Sequence, residues 1–148
     1  MANQNRLDAQ LSYESAVYKE QMRLLQKEIE RINLATIELN NALHTAEKLK
    51  QDDVLVPIGG GSFLKATVYN TKVLVPIGAS YLVEMEKTNA VIEMGKRLES
   101  TKKAIEKLSD EFQKVSSHLR ELDLKLREIQ TQDAISKRVD ENIGEDYL

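Results

Sequence analysis

The sequence contains no cysteine and no tryptophan, and only 5% of its 148 residues are aromatic. The lack of cysteine excludes disulfides, zinc sites with thiolate ligands and cysteine nucleophiles. No stretch approaches the roughly 18 consecutive apolar residues of a transmembrane helix. The opening residues, MANQNRLDAQ, lack the apolar core of a secretory signal. We therefore expect a cytoplasmic protein that makes no contact with a membrane.

Charges of both signs are interspersed along the chain, and neither sign dominates. Charged residues make up 30% of the sequence, and the formal net charge is −3. Because nucleic acids are bound mainly through clustered Lys and Arg, this balance argues against nucleic acid as the main partner. A high charge content with few aromatics is typical of long, solvent-exposed helices.

Helix-breaking residues are few and lie almost entirely in the middle of the chain. Both prolines, Pro57 and Pro76, and four of the six glycines fall between residues 54 and 80. This distribution predicts two long helices separated by a short segment of another kind. Thr88 and Asn89 are candidates for the N-cap of the second helix.

In both flanks, apolar residues recur at alternating steps of four and three residues. The first stripe comprises Leu11, Ser15, Tyr18, Met22, Leu25, Ile29, Ile32, Thr36, Leu39, Leu43 and Ala46; the second comprises Val91, Met94, Leu98, Thr101, Ile105, Leu108, Phe112, Val115, Leu119, Leu122, Leu126 and Ile129. A mean step of 3.5 keeps a stripe on one side of a left-handed supercoil. The similar lengths predict antiparallel pairing, with both termini at the free end. A compact bundle is the alternative.

The middle segment contains an internal sequence repeat: VLVPIGGGSFL at 54–64 and VLVPIGASYL at 73–82 are nearly the same. Each copy reads as a strand, a turn of small residues and a second strand, which predicts two β-hairpins. Isolated hairpins are marginally stable, and exposed apolar strands pair with other chains. We therefore expect two docking edges for oligomerisation; duplication without a special role is the alternative. The predicted assembly residues are Val54, Val56, Ile58, Phe63, Leu64, Val68, Val73, Val75, Ile77, Tyr81 and Val83.

No residue pattern predicts catalysis, a cofactor or a metal, so we do not expect an enzyme. GGGSFLK departs from the phosphate-binding pattern G-x-x-x-x-G-K-[ST], because Lys65 is followed by Ala66 and by a predicted strand. In the expected pairing, His118 lies opposite residue 23, roughly 30 Å from His44 at 1.5 Å per residue. Both histidines are therefore expected on the solvated surface. The carboxylates alternate with Lys and Arg, as on the outside of a coiled coil.

Apolar residues near the two termini suggest a binding surface at the free end of the helix pair. Tyr13, Val17 and Leu124 lie outside the stripes, where a two-helix arm has no second layer to cover them. Scattered surface apolar residues are the alternative. The helix ends should fray here, which would expose nearby stripe residues as well. The predicted binding residues are therefore Leu7, Leu11, Tyr13, Val17, Leu122, Leu124, Leu126 and Ile129.

The order helix, LVPIGGGSFLKA, second strand pair and helix resembles the alpha-class subunits of prefoldin over nearly the whole chain. The resemblance implies a mainly α fold with a small β part: a long antiparallel coiled-coil hairpin whose two central β-hairpins join a multi-subunit β-barrel platform. It implies a hexamer of two alpha-class and four beta-class subunits. It also implies that the coiled-coil tips hold unfolded proteins without ATP and deliver them to a group II chaperonin.

These expectations describe a single prefoldin-like domain over residues 1–148. Its parts are a coiled-coil helix at 1–52, the hairpins at 53–87, a second helix at 88–131 and a frayed or disordered tail at 132–148. The expected partners are beta-class subunits, unfolded clients and the chaperonin, with self-assembly as an alternative. The alternative functions are a filament or spacer assembled through the hairpins, and a coiled-coil tether.

Overall fold

Two long helices flank a pair of β-hairpins. The computed structural model describes residues 2–145, and the side-chain surroundings of residues 5–141. The elements, in order, are α1 (Ala2–Lys48), β1 (Asp53–Gly59), β2 (Ser62–Thr67), β3 (Val73–Gly78), β4 (Tyr81–Met85) and α2 (Lys87–Glu145). The predicted fold, mainly α with two hairpins between long helices, is confirmed.

The described chain divides into two compact units. Residues 1–30 and 106–148, as far as they are described, form the terminal unit, and residues 31–105 form the hairpin unit. In the terminal unit, Tyr18 contacts His118 and Ser15 contacts Asp123, so residues earlier in α1 meet residues later in α2. The two helices therefore run antiparallel there.

The two heptad stripes form the seam in which the helices pack. Every stripe residue, from Leu11 to Ala46 and from Val91 to Ile129, is buried or half-buried. The polar members also have hydrogen-bond partners. Thr36 Oγ1 donates to Ile32 O at 2.7 Å, and Thr101 Oγ1 donates to Leu98 O at 2.9 Å. The heptad prediction is confirmed, because a 3.5-residue repeat brings these positions to one side of each helix.

The hairpins are two separate two-stranded sheets in the described chain, β1 with β2 and β3 with β4. Both are antiparallel, and each register shifts by one residue just before the turn, which leaves Ile58 and Ile77 at equivalent irregularities. The first turn uses Gly60 and Gly61 at positive φ, whereas the second places Ala79 (φ 48°) and Ser80 (φ 63°) there. Two consecutive positive φ values match the right-handed twist of the flanking strands.

The core of the hairpin unit lies where β3 packs on the helices. Val75 is fully buried among Ala46, Ala90 and Met94. Partly buried residues surround this cluster: Leu39, Leu43, Val73, Met85 and Val91. Lys87 Nζ donates to Leu49 O at 2.9 Å, which joins the start of α2 to the residue after α1. Small alanines on both helices allow the strand to approach closely.

Both inner helix ends differ from the expected positions. α1 ends at Lys48, before the expected boundary at 52, and Leu49 N–H donates to Ala46 O at 3.3 Å in a tightened last turn. α2 begins at Lys87, and Ala90 N–H donates to Glu86 O at 2.9 Å. Glu86 therefore holds the N-cap position rather than Thr88 or Asn89.

The structure also corrects the expected frayed or disordered tail. α2 continues through residue 132 to Glu145, while residues 146–148 lie outside the described part. Side chains 134–141 are all exposed, so the seam does end near the expected place. Where the heptad pattern stops, packing between the helices stops as well. The helix itself continues, because this stretch contains no proline and its first glycine is Gly144.

Candidate functional site

The first hairpin, β1 with β2, exposes apolar side chains on both faces. Every residue of the two strands is exposed except Ala66, which is half-buried. Paired residues of an antiparallel ladder project on the same side. Val56 and Leu64 therefore share one face, while Pro57 and Phe63 share the other. A two-stranded sheet with two uncovered apolar faces is marginal in water, so this hairpin has the properties of an assembly surface.

The second hairpin, β3 with β4, is covered on one face only. Val73 and Val75 pack towards the helices, whereas Leu74 and Leu82 remain about 60% exposed. This placement corrects one predicted assembly residue. The side chain of Val75 is fully buried within its own chain, so it is not available to a second chain.

The other predicted assembly residues are accessible to different degrees. The exposed ones are Val54, Val56, Ile58, Phe63, Leu64, Ile77, Tyr81 and Val83, and the half-buried ones are Val68 and Val73. The prediction omitted four further exposed apolar residues, Leu55, Leu74, Leu82 and Tyr69. Each of the three leucines lies between two predicted assembly residues, so the strands contain continuous apolar runs. Such a run, in which apolar and polar residues do not alternate, was the sequence signal that both faces of the strand are apolar.

Hydrogen bonds hold the base of the first hairpin. Thr67 Oγ1 donates to Asp53 Oδ1 at 2.8 Å, and Val68 N–H donates to Asp52 O at 3.0 Å. Gln51 Nε2 donates to Tyr69 O at 2.6 Å. A hydrogen bond from the Lys50 ammonium, with a second from the Asp53 N–H, holds the pKa of the Asp52 carboxyl below its usual value. The base is polar and hydrogen-bonded, while the strands beyond it are apolar and uncovered.

In the terminal unit, the eight predicted binding residues fall into three groups. Leu7, Tyr13, Val17 and Leu124 are exposed; Leu11, Leu126 and Ile129 are half-buried; Leu122 is 3% exposed. Leu122 is therefore part of the seam. The exposed group, and part of the half-buried group, can contact another molecule without opening the helix pair, whereas Leu122 cannot.

Two of the exposed residues meet in one groove. Tyr13 and Val17, one helical turn apart on α1, line it together with Tyr18, and the remaining lining residues are Gln10, Glu14 and Gln21. Leu124 is not among the lining residues. Sequence reasoning placed Tyr18 in the seam and did not predict that it also borders an outward groove. Tyr18 is half-buried, which allows its ring to do both.

Polar contacts cross the seam of the terminal unit. Ser15 Oγ donates to Asp123 Oδ1 at 3.3 Å. His118 Nε2 lies 3.6 Å from Glu14 Oε1, and its ring meets Tyr18 edge-on with centroids 4.6 Å apart. His118 thus lies beside Tyr18 and not opposite residue 23, and its side chain is 43% exposed, as a surface position requires. The expected register, in which residue 23 faces His118, was wrong by five residues at the Tyr18–His118 contact and by three at the Ser15–Asp123 contact.

The other histidine makes a local contact. His44 Nδ1 lies 3.4 Å from Glu47 Oε2 on the same helix, and both side chains are exposed. Among the residues that the structure describes, no three His, Asp or Glu side chains are grouped so as to hold a metal ion.

No helix within residues 2–145 has a stretch long and apolar enough to cross a membrane.

The two helices are antiparallel, and exposed β-hairpins connect one helix to the other. This arrangement defines the class of protein. The family model for prefoldin subunits matches residues 18–132. The prefoldin subunit alpha of Pyrococcus horikoshii is 31% identical over 142 residues, which cover 92% of this chain and 96% of that relative. The chain belongs to the prefoldin family of chaperone subunits, and the resemblance to alpha-class subunits predicted from the sequence is confirmed.

Solved structures share the same fold. A cryo-EM structure of filamentous PFD from Methanocaldococcus jannaschii has a TM-score of 0.62 at 21% identity, covering 74% of this chain and 95% of that one. The crystal structure of the prefoldin beta subunit from Thermococcus strain KS-1 has a TM-score of 0.59 at 19% identity, covering 82% and 90%. At these identities the comparison establishes the arrangement of helices and hairpins.

Proposed function

We propose that this chain is one subunit of an oligomeric holdase co-chaperone that works without ATP. Its hairpins join prefoldin beta-class subunits in a shared β platform, in the hexamer of two alpha-class and four beta-class subunits expected from the resemblance. Its terminal unit holds exposed apolar segments of unfolded proteins, which pass to a group II chaperonin. A cytoplasmic location is part of this proposal, as the resemblance to prefoldin implies.

The observation that carries the assembly part is the uncovered first hairpin. Its strands expose Val54, Val56 and Leu64 on one face and Leu55 and Phe63 on the other. Fully burying such a side chain from water contributes about 1.5–3 kcal/mol, and these side chains, which are 36–61% exposed, would each contribute part of that. Several of them, together with unpaired strand edges, supply enough free energy for association with other subunits.

Client binding is supported by the exposed apolar residues of the terminal unit. Tyr13 is 74% exposed, Leu124 60% and Val17 47%, without a second layer of this chain over them. Each contact with a client is weak and non-directional. Several subunits acting together convert weak contacts into useful avidity, so an isolated chain should protect clients poorly.

A filament or spacer is the second candidate. Each two-stranded sheet leaves both strands as edges in the described chain, and open edges permit either a closed ring of subunits or continued end-to-end addition. A closed complex keeps one mass as its concentration rises, whereas a filament grows. Native mass spectrometry over a range of concentrations, alone and with a beta-class subunit, distinguishes the two.

The client surface is tested by removing equal numbers of exposed apolar side chains from the two units. The test variant carries Tyr13→Ser, Val17→Ser and Leu124→Ser in the terminal unit. The control carries Leu34→Ser, Ile37→Ser and Ile92→Ser, which are 65%, 57% and 57% exposed in the hairpin unit. Light scattering of a refolding client reports protection, and native mass verifies that both variants still assemble.

The expected result is loss of protection in the terminal variant and retention in the control, with ATP making no difference to either. Equal protection by both assembled variants would place the client surface elsewhere. A strict requirement for ATP by the purified complex would contradict the holdase proposal. Delivery is tested separately, by adding a group II chaperonin to the loaded complex and following transfer of a labelled client.

A further inference from the structure

The groove on α1 in the terminal unit carries charge of one sign only. Its lining residues are Gln10, Tyr13, Glu14, Val17, Tyr18 and Gln21. Glu14 is the only carboxylate among these lining residues, and none of them is a lysine, arginine or histidine. The groove therefore combines apolar and aromatic side chains with a single negative charge. A ligand that complements it is apolar and carries a positive charge.

The carboxylate of Glu14 has no permanently charged partner in the described part of the chain. Its ion-pair partner there is His118, whose Nε2 lies 3.6 Å from Glu14 Oε1. Histidine is positive only when protonated, so above pH 7 this contact leaves most of the negative charge uncompensated. The Glu14 side chain is 39% exposed. Because it is partly withdrawn from water, its carboxylate attracts a cation more strongly than a fully exposed one would.

Two tyrosines supply aromatic surface next to this charge. Tyr13 is 74% exposed, so most of its ring is open to a ligand. Tyr18 is half-buried, and its ring lies edge-on to that of His118 with centroids 4.6 Å apart. A guanidinium is planar, pairs with a carboxylate through two parallel N–H groups and stacks on aromatic rings, whereas an ammonium lacks the plane. The groove therefore favours arginine over lysine.

The spacing of the lining residues suits an extended polypeptide. Gln10 and Gln21, at the two ends of the groove, are eleven positions apart on α1. This separation is roughly 16 Å along a helix, the length of about five residues of extended chain. Tyr13 and Val17 are about 6 Å apart along the axis, close to the spacing of alternate side chains on one side of an extended chain. An arginine beside Tyr13 and Glu14 would thus bring the residue two positions away to Val17.

We propose that this groove binds an arginine side chain of the unfolded client, together with an aliphatic residue two positions away. The guanidinium pairs with the carboxylate of Glu14 and lies against the ring of Tyr13, and the aliphatic side chain packs on Val17. The inference rests on the proposed function, in which the terminal unit holds clients. It adds a chemical preference, because apolar segments that contain arginine are captured more tightly than equally apolar segments without it.

The preference is tested with two fluorescent peptides that differ in one charge. One contains Leu-Ser-Arg-Ser-Leu, and the other has citrulline, a neutral isostere of arginine, in place of the arginine. Leucine on both sides makes the test independent of the direction in which the peptide binds. Fluorescence anisotropy with the assembled full-length protein measures both affinities. We expect the arginine peptide to bind roughly fivefold more tightly at low salt, as for one partly exposed ion pair with an aromatic contact. The ratio should fall as salt screens the charges.

Variants of the protein assign the preference to the groove. Glu14→Gln keeps the size of the side chain and removes its charge, so it should bind the two peptides equally, with its affinity for the citrulline peptide unchanged. The matched control is Glu121→Gln, which removes an exposed carboxylate of α2 in the same unit but outside the groove, and it should keep the fivefold ratio. Tyr13→Phe should also keep the ratio, whereas Tyr13→Leu should lower it. Circular dichroism verifies that each variant is folded.

Equal binding of the two peptides by the unaltered protein would overturn the arginine preference. It would leave the holdase proposal intact as long as refolding clients are still protected. A preference that survives in Glu14→Gln, or disappears in Glu121→Gln, would also overturn the inference, because the charge responsible would then lie elsewhere. Failure of the unaltered protein both to bind the peptides and to protect clients would contradict the proposed function as well.

Discussion

The hydroxyl of Ser15 donates to the carboxylate of Asp123 at 3.3 Å and joins the two helices of the terminal unit. Ser15 is 3% exposed and occupies a stripe position where a large apolar residue would normally pack. Nearby, Asp8 Oδ1 is buried without a hydrogen-bond partner among the described residues. The seam near the termini is therefore partly polar. It buries less apolar surface than a seam made only of leucines, so the helix pair is held together less strongly there.

The first prediction concerns this contact. Ser15→Ala should lower the free energy of unfolding by about 0.5–1.5 kcal/mol, the usual contribution of one hydrogen bond. Urea unfolding followed by circular dichroism measures the change. Ser12→Ala, exposed on the same helix, should alter stability by less than about 0.5 kcal/mol. In the Asp123→Ala background, Ser15→Ala should cost much less; an undiminished cost would show that the bond does not stabilise the unit.

The second prediction separates the two equivalent valines. Val75→Lys should unfold much of the hairpin unit, because a charge would replace a fully buried side chain. Val56→Lys should keep the helical signal and the melting temperature of the monomer while weakening association, since Val56 is partly exposed. Circular dichroism and native mass measure the two effects. Loss of fold in Val56→Lys, or a stable fold in Val75→Lys, would contradict the burial assigned to them.

The third prediction concerns the turns. Ala79→Gly should stabilise the second hairpin by up to about 1 kcal/mol, because glycine adopts positive φ without a Cβ clash. Gly60→Ala should destabilise the first hairpin by about 1 kcal/mol although nothing lies within 4 Å of the added Cβ. Hydrogen exchange of the strand amides reports both.

Gly95→Ala is the control for these turn variants. Its site is helical and equally open, so the same added methyl group should stabilise α2 by about 0.5–1 kcal/mol. If Gly60→Ala were also stabilising, the positive φ assigned to the first turn would be wrong.

The fourth prediction uses two leucines only two residues apart on α2. Leu122→Ala should cost about 2–5 kcal/mol of stability, because Leu122 is 3% exposed within the seam. Leu124 is 60% exposed, so Leu124→Ala should cost less than about 0.5 kcal/mol and instead weaken client protection. Thermal unfolding and aggregation assays separate the two roles. A large stability loss in Leu124→Ala would assign it to packing.

Much of the fold could be predicted from local pattern. Every residue of the stripes from Leu11 to Ala46 and from Val91 to Ile129 is buried or half-buried, because a 3.5-residue period selects one side of a helix regardless of what packs against it. The stripes nevertheless missed the fully buried Ala90. The positions of both hairpins were predicted from the clustered Gly and Pro residues and from the sequence repeat. The contact between Tyr18 and His118, however, was not predictable. A heptad repeats every seven residues, so it leaves the axial register between two helices undetermined.

The amino-acid sequence by itself determined which residues face the seam, where the chain reverses and which side chains are too apolar to remain uncovered. Tertiary structure alone decided that Val75 is buried and Val56 is not, although both occupy the same place in the repeat. Burial depends on the surface that a strand meets, and only β3 meets the alanines of its own helices. The continuation of α2 to Glu145, by contrast, follows from local sequence without proline or a glycine before Gly144, because side chains 134–141 are all exposed and make no tertiary packing.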